Sequence, residues 1–245
     1  MGPFRLAGRA PPLAGRTIRR VLIIGDSNGN GTQTDSATVP DSDPPEALYA
    51  GVAIPATWSI VDQGAPLATW PAGGSPAPGV MPYLVDLLGA AETGWIVRES
   101  ENGRALDEVT GWNAQLSDAF AAVDALDDGP PDLIYVPMGA NDGGDAAEAG
   151  RVEGHVRRTL AILRDRWPDA SILWLQERTT ATPPSAYDLL VSVVHPGIAT
   201  ACAEVGAEVL DGESLAYAMA DDIHAAQSPA GQGAIAAAIV ARAES

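Results

Sequence analysis

The sequence predicts an α/β fold, a three-layer α/β/α sandwich around a central, mainly parallel, five-stranded sheet. Three observations carry this expectation. Short, continuous apolar runs of β-branched character recur five times, each of the length of a strand buried on both faces. Helical patterns lie between those runs, and strand alternating with helix is the signature of a sheet covered by helices on both sides. At 245 residues, 46% hydrophobic and 19% charged, the chain can bury the core of one domain or at most two small ones.

Residues 1–20 form a basic leader, expected to be flexible, with Arg5, Arg9, Arg16, Arg19 and Arg20 and no acid. Val21-Leu22-Ile23-Ile24 is the first strand, stopping at Gly25-Asp26-Ser27. The span 28–82 holds nine of the 20 prolines, a Gly73-Gly74 pair and one strand-like stretch, Trp58-Ser59-Ile60-Val61. So long an irregular segment reads as a lid or binding loop, or else a disordered insert, and its two tryptophans favour an ordered lid. A helix from Tyr83 to Ala91 leads to the second strand, Trp95-Ile96-Val97. A helix from Asn113 to Leu126 leads to the third, Leu133-Ile134-Tyr135-Val136. A helix from Ala146 to Trp167, closed by Pro168, precedes the fourth, Ile172-Leu173-Trp174-Leu175. The pattern from Ala186 to Val205, kinked at Pro196, precedes a weaker fifth at Glu208-Val209-Leu210, and a helix from Ala230 to Ala243 ends the chain. No domain boundary is expected within 21–245.

Composition narrows the function. All 14 basic residues are Arg against 32 acids, a net charge of −18, and residues 21–245 alone carry −23. Such a body repels phosphate backbones and anionic membranes, so nucleic acid is not an expected partner. No apolar run approaches the ~20 residues of a membrane span. Residues 1–20 contain no signal-peptide core, because Arg5, Arg9 and Pro11-Pro12 cut the apolar stretches. The cytoplasm is the default localisation, and a leader already removed would make the protein secreted. The lone Cys202 excludes an intrachain disulfide and a multi-cysteine metal cluster and reads as a buried hydrophobe.

In an open α/β sheet, chemistry collects where strands end. Histidine is scarce, with only His155, His195 and His224 available for proton transfer near neutral pH. His155 beside Arg157 and Arg158, and His195 before Pro196, read as structural or surface residues. His224 follows Asp221 by three residues. A carboxylate so placed on a turn can accept a hydrogen bond from Nδ1 and leave Nε2 to take a proton from a serine; a surface turn capping the next helix is the competing reading. Asp222 competes less well than Asp221, because adjacent side chains on a turn diverge. Ser27 directly ends a strand in Gly-Asp-Ser, where it is either a nucleophile or a helix N-cap. Asn141, in Gly139-Ala140-Asn141-Asp142, offers a neutral amide donor to an oxyanion, or forms an Asx turn.

Taken in order, Gly-Asp-Ser, Gly-x-Asn-Asp and Asp-x-x-His resemble the SGNH, or GDSL, hydrolase superfamily, with a resemblance covering the chain from about Val21 to its end. The resemblance implies a flavodoxin-like layer order and a triad of Ser27, Asp221 and His224. It also implies an oxyanion hole made by the Ser27 N–H, a glycine N–H and the Asn141 side chain. Asn102-Gly103-Arg104, after the second strand, is similar to the block supplying that glycine in arylesterase-like members. Gly103 is therefore assigned ahead of Gly73-Gly74, which has no strand immediately before it. Ser27 followed by Asn28 is similar to the sialate O-acetylesterase-like branch, although that branch usually carries Gln in the place of Asp26.

The expected activity is removal of small acyl groups, most plausibly acetyl, from a carbohydrate or other polar ester through an acyl-enzyme, with no metal and no cofactor. Trp58, Trp70 and Trp112 are placed to reach the pocket mouth and stack on substrate, or else pack in the core. Asn28 and Arg104 join them as candidate substrate contacts. Arg104 and Arg178 meet either a carboxylate-bearing substrate or the nearby acids. The alternatives are an arylesterase, lipase or acyltransferase on less polar esters, and a non-catalytic carbohydrate-binding or structural protein on the same scaffold.

Overall fold

The computed structural model describes residues 9–26, 49, 51–71, 78–142, 145–181, 185, 187–219, 222–225 and 228–245. Strands β1 (Arg20–Gly25), β2 (Trp58–Asp62), β3 (Ala65–Leu67), β4 (Gly94–Ser100), β5 (Leu133–Pro137), β6 (Ser171–Gln176) and β7 (Glu208–Asp211) form one sheet in the order β3-β2-β4-β1-β5-β6-β7. Every pairing is parallel except β2 with β3. The helices are α1 (Met81–Leu88), α2 (Val109–Leu126), α3 (Ala146–Ala149), α4 (Val152–Arg166), α5 (His195–Val205), α6 (Gly212–Leu215) and α7 (Gln232–Glu244).

Alternation along the strands sorts the core into two layers. Leu22 and Ile24 of β1 join Trp95 and Val97 of β4 under α2, α4 and α5. Val21 and Ile23 join Ile96 and Leu133 under α1 and α7. Cys202 lies in the first layer, where burial pushes its thiol up to about 12.

The sheet has seven strands rather than five, and both additions come from the span expected to be a loop. β2 and β3 form a hairpin whose turn, Gln63-Gly64, has φ of +49° and +73°. Two successive positive φ values match the right-handed twist of the flanking strands. Pro66 is tolerated because β3 is the sheet edge. A fully buried fork ties β2 to β4: Arg98 Nε and Nη2 donate to Asp62 Oδ1 and Oδ2 at 2.8 and 2.6 Å.

The long helix expected from Ala146 is two helices, α3 and α4, separated by Gly150 and Arg151. The expected kink at Pro196 is instead a helix start. A π turn at Leu190–Val194 runs into α5, whose first turn holds the proline, where its missing N–H has no helical partner to lose.

Residues 9–19, expected to be a flexible leader, are docked on the body. Leu13 and Ile18 are buried in the second layer. Asp132 Oδ2 accepts the N–H groups of Arg19 and Arg20 at 3.0 and 2.9 Å. Arg16 Nη1 donates to Asp169 O at 2.6 Å. These partners lie more than 100 residues away, which makes the arginines structural rather than merely solvated.

The run β4-β1-β5-β6-β7 has the flavodoxin-like order, whose switch point falls between β1 and β5. Crossovers leave that point in opposite directions and open a crevice at the carboxyl ends of the two strands.

Candidate active site

Three strand ends meet at the switch point. Gly25 closes β1 against the end of β5 so tightly that a Cβ there would lie 2.2 Å from Pro137 O. Asp26 N donates to the same oxygen at 3.2 Å. This contact fixes the position from which the chain enters Ser27.

Beyond β5, a 3-10 turn spans Ala140–Asp142 and presents Asn141. Asn141 Nδ2 donates to Asp26 Oδ2 at 3.1 Å and to Arg104 O at 3.0 Å. One amide therefore links the residue before Ser27 to the residue after Gly103. Two buried carboxylates hold the turn itself. Glu177 Oε2, just past β6, accepts Ala140 N at 2.7 Å. Asp142 Oδ1 and Oδ2 share Leu106 N at 3.0 and 3.1 Å, anchoring the loop after β4. Burial raises the Asp142 carboxyl from its ordinary 3.8 to about 7 against the opposing effect of its backbone donors.

The loop after β4 begins with Glu101 N donating to Gly25 O at 3.1 Å. Gly103 has φ +71° with open space where a Cβ would stand, so it is the backbone conformation rather than crowding that favours glycine. Gln115 on α2 steadies both strand ends, its Nε2 donating to Gly25 O at 2.7 Å and to Glu99 O at 2.8 Å.

His224 lies in the segment between α6 and α7, mostly buried, and is followed by an antiparallel bridge from Ala225 to Met219. Asp222 O accepts Thr180 N and Thr179 Oγ1, both at 2.9 Å, which ties this segment to the loop after β6. Ile223 is buried in the first core layer, while Asp222 is exposed. Ser27, Asn28 and Asp221 lie outside the described residues, as does the Gly73-Gly74 pair.

Of the two readings open for Trp58, Trp70 and Trp112, the structure shows core packing and not the pocket mouth. Trp58 and Trp70 are buried in the second layer, Trp58 Nε1 donating to Gly89 O at 3.2 Å. Trp112 is fully buried in the first, with Nε1 donating to Thr159 Oγ1 at 2.7 Å. Each indole gains more by burial than by standing in solvent. Arg104 pairs with acids: its guanidinium lies over Gly111 and meets Glu101 and Glu108, while Nε donates to Gln115 Oε1 at 3.3 Å. Arg178 Nη1 likewise donates within the protein, to Tyr217 O at 2.5 Å.

Glu177 and Gln115 are the supporting residues that sequence reading missed. Glu177 had a signal, a carboxylate directly after a strand that ends in Gln176; Gln115, inside a helical pattern, had none. Among the described residues no group of three or more His, Cys, Asp or Glu is placed to hold a metal ion. No described helix is long and apolar enough to cross a membrane.

An α/β/α sandwich with loaded loops at its switch point defines a class, the doubly wound α/β proteins whose chemistry sits at strand ends. The chain's own sequence is more specific. The family model for GDSL-like lipase/acylhydrolases matches residues 21–238, and the chain belongs to that family. No curated protein matches at a significant level. Among solved structures, Axe2, an acetyl-xylooligosaccharide esterase from Geobacillus stearothermophilus, is 15% identical with a TM-score of 0.56, covering 93% of this chain and 96% of that one. A lipase/acylhydrolase from Enterococcus faecalis is 13% identical with a TM-score of 0.56, covering 91% and 94%. A carbohydrate esterase family 2 enzyme from Myceliophthora fergusii, solved with a carbohydrate-binding domain, is 20% identical with a TM-score of 0.58, covering 96% of this chain and 68% of that one. At these identities the likeness is one of fold.

Proposed function

We propose that residues 21–245 form a single serine esterase domain that removes small acyl groups, acetyl above all, from a carbohydrate or similar polar ester. The observation that carries this reading is the Asn141 amide, which joins the loop entering Ser27 to the loop holding Gly103. Those are the three positions from which an oxyanion would be bound.

In this mechanism His224, held by Asp221, takes the Ser27 hydroxyl proton as Oγ attacks the acyl carbon. The carbonyl oxygen becomes an oxyanion facing the N–H groups of Ser27 and Gly103 and the Asn141 amide. The Asn141 proton now accepted by Asp26 would transfer its hydrogen bond to that oxygen. The tetrahedral intermediate collapses as His224 returns the proton to the leaving alcohol. Water, deprotonated by His224, then attacks the acyl-enzyme, and the acid leaves as Ser27 regains its proton.

The test measures acetate release from acetylated xylo-oligosaccharides beside p-nitrophenyl esters of increasing chain length. Acetate release, with rates falling beyond about C4, is expected. Preference for acyl chains beyond about C6, with no acetate from sugars, would establish the arylesterase or lipase reading instead. No hydrolysis of any ester would favour a binding protein.

A further inference from the structure

A cavity of about 630 Å³ opens between the carboxyl end of β4, the β2–β3 turn and the exposed face of α2. It shares a wall with the candidate oxyanion loop, since Glu101, Asn102 and Arg104 line it and Arg104 O is the carbonyl held by Asn141. We infer that this cavity is the subsite for the alcohol part of the ester, and that it takes an uncharged polyol such as a neutral sugar while rejecting anionic sugars. The identity of the ligand as an ester's alcohol rests on the esterase reading above; the preference for neutral polyols rests on the lining alone.

Size fits first, because small-ligand sites commonly span roughly 300–1,000 Å³. The lining chemistry then excludes an acyl chain. Among the described residues that line the cavity, Ala114 and Gly111 alone are without a polar side chain, and the other eight are polar or charged. An acyl chain there would bury polar groups without partners, whereas hydroxyls can pair with them.

One such group borders it. Glu99, only 7% exposed, shares the α2 face of β4 with Trp95 and Val97, and its Oε1 has no hydrogen-bond partner. Buried polar atoms in native proteins are almost always paired, so a guest hydroxyl that reaches behind the cavity wall would satisfy it. Burial, with Asp118 and Asp62 adding to it, raises Glu99 to about 7, so near neutral pH it can donate to a hydroxyl as well as accept from one.

Charge sets the selectivity. Among the described lining residues, Glu101 and Asp118 face a single cation, Arg104, whose guanidinium is already engaged by Glu101 and Glu108. With −18 on the whole chain behind it, a carboxylate-bearing sugar meets repulsion at the subsite and on approach.

The experiment is titration of the full chain with xylotetraose and, separately, with trigalacturonate, read by backbone amide shifts in NMR. Xylotetraose is expected to shift the amides of Gly111, Ala114 and Gln115, and trigalacturonate to bind at least about tenfold more weakly. Ala114→Trp, a substitution at an exposed position that fills the cavity, should abolish the xylotetraose shifts. Asp118→Lys, also at an exposed position, should narrow the difference between the two sugars. Shifts elsewhere, no shifts, or equal binding of both sugars in the wild type would overturn the assignment. Hydrolysis of p-nitrophenyl acetate is measured in parallel. Hydrolysis without sugar shifts at the cavity defeats the subsite and leaves the esterase standing; cavity shifts without hydrolysis leave a site for neutral polyols and overturn its role as the ester's alcohol subsite.

Discussion

Asp142 makes the fold's stability depend on pH in a direction opposite to that of an ion-paired carboxylate. Its carboxyl titrates at about 7 in the folded chain and at an ordinary 3.8 when exposed. Between those values the folded state holds a proton that the unfolded state has lost. Stability therefore falls as pH rises, by about 1.4 kcal/mol per unit at most. From about pH 5 to about pH 7 the loss from this one group approaches roughly 2–3 kcal/mol, a large share of the ~5–15 kcal/mol that holds a domain folded. Glu99, also raised to about 7, acts in the same direction over the same window. Asp142→Asn mimics the protonated acid, since its Oδ1 can still accept Leu106 N. It should thus remove about half of the combined slope. Urea unfolding at about pH 5, 6 and 7 measures it, in ~0.5 M NaCl so that repulsion among surface carboxylates is screened. A variant whose stability keeps the full wild-type slope would refute the assignment of that slope to Asp142.

Asn141→Ala should lower kcat by roughly 100- to 1,000-fold with little change in KM, as expected for a donor used mainly in the transition state; steady-state kinetics on p-nitrophenyl acetate decide it. Gly25→Ala forces a methyl group against Pro137 O and should cost about 3 kcal/mol or more in denaturant unfolding, displacing the entry to Ser27 as well. Asp221→Asn should depress kcat by about 1,000-fold or more, whereas Asn at the exposed position 222 should leave it within about twofold; equal losses in the two variants would remove Asp221 from the triad.

β1, β4, β5 and β6, buried along their length, were legible because continuous apolar runs leave few alternatives, and β7, half-buried at Glu208 and Val209, gave the weaker signal. β3 was not, because Ala65-Pro66-Leu67 carries no strand signal by itself and pairs only because β2 offers an edge. The Gln63-Gly64 turn lacks the Asn-Gly or Asp-Gly pair that announces such hairpins. The docking of residues 9–19 was hidden for a different reason, that Asp132 and Asp169 lie far along the chain. The tryptophans follow the same logic: nothing near Trp112 in sequence reveals that Thr159 will receive its N–H. At the site, the motif containing Asn141 was readable because glycine, asparagine and aspartate at fixed spacing form a local turn. Its supports, Glu177 and Gln115, exist only once the strand ends are brought side by side.

Ser27 as the nucleophile is the claim on which the proposed chemistry stands. Treatment with a fluorophosphonate, followed by intact-mass measurement and peptide mapping, tests it directly. The account predicts one adduct per chain, on Ser27, absent in Ser27→Ala and strongly slowed in His224→Ala. No adduct on the wild type, or an equal adduct that persists in Ser27→Ala, would contradict it.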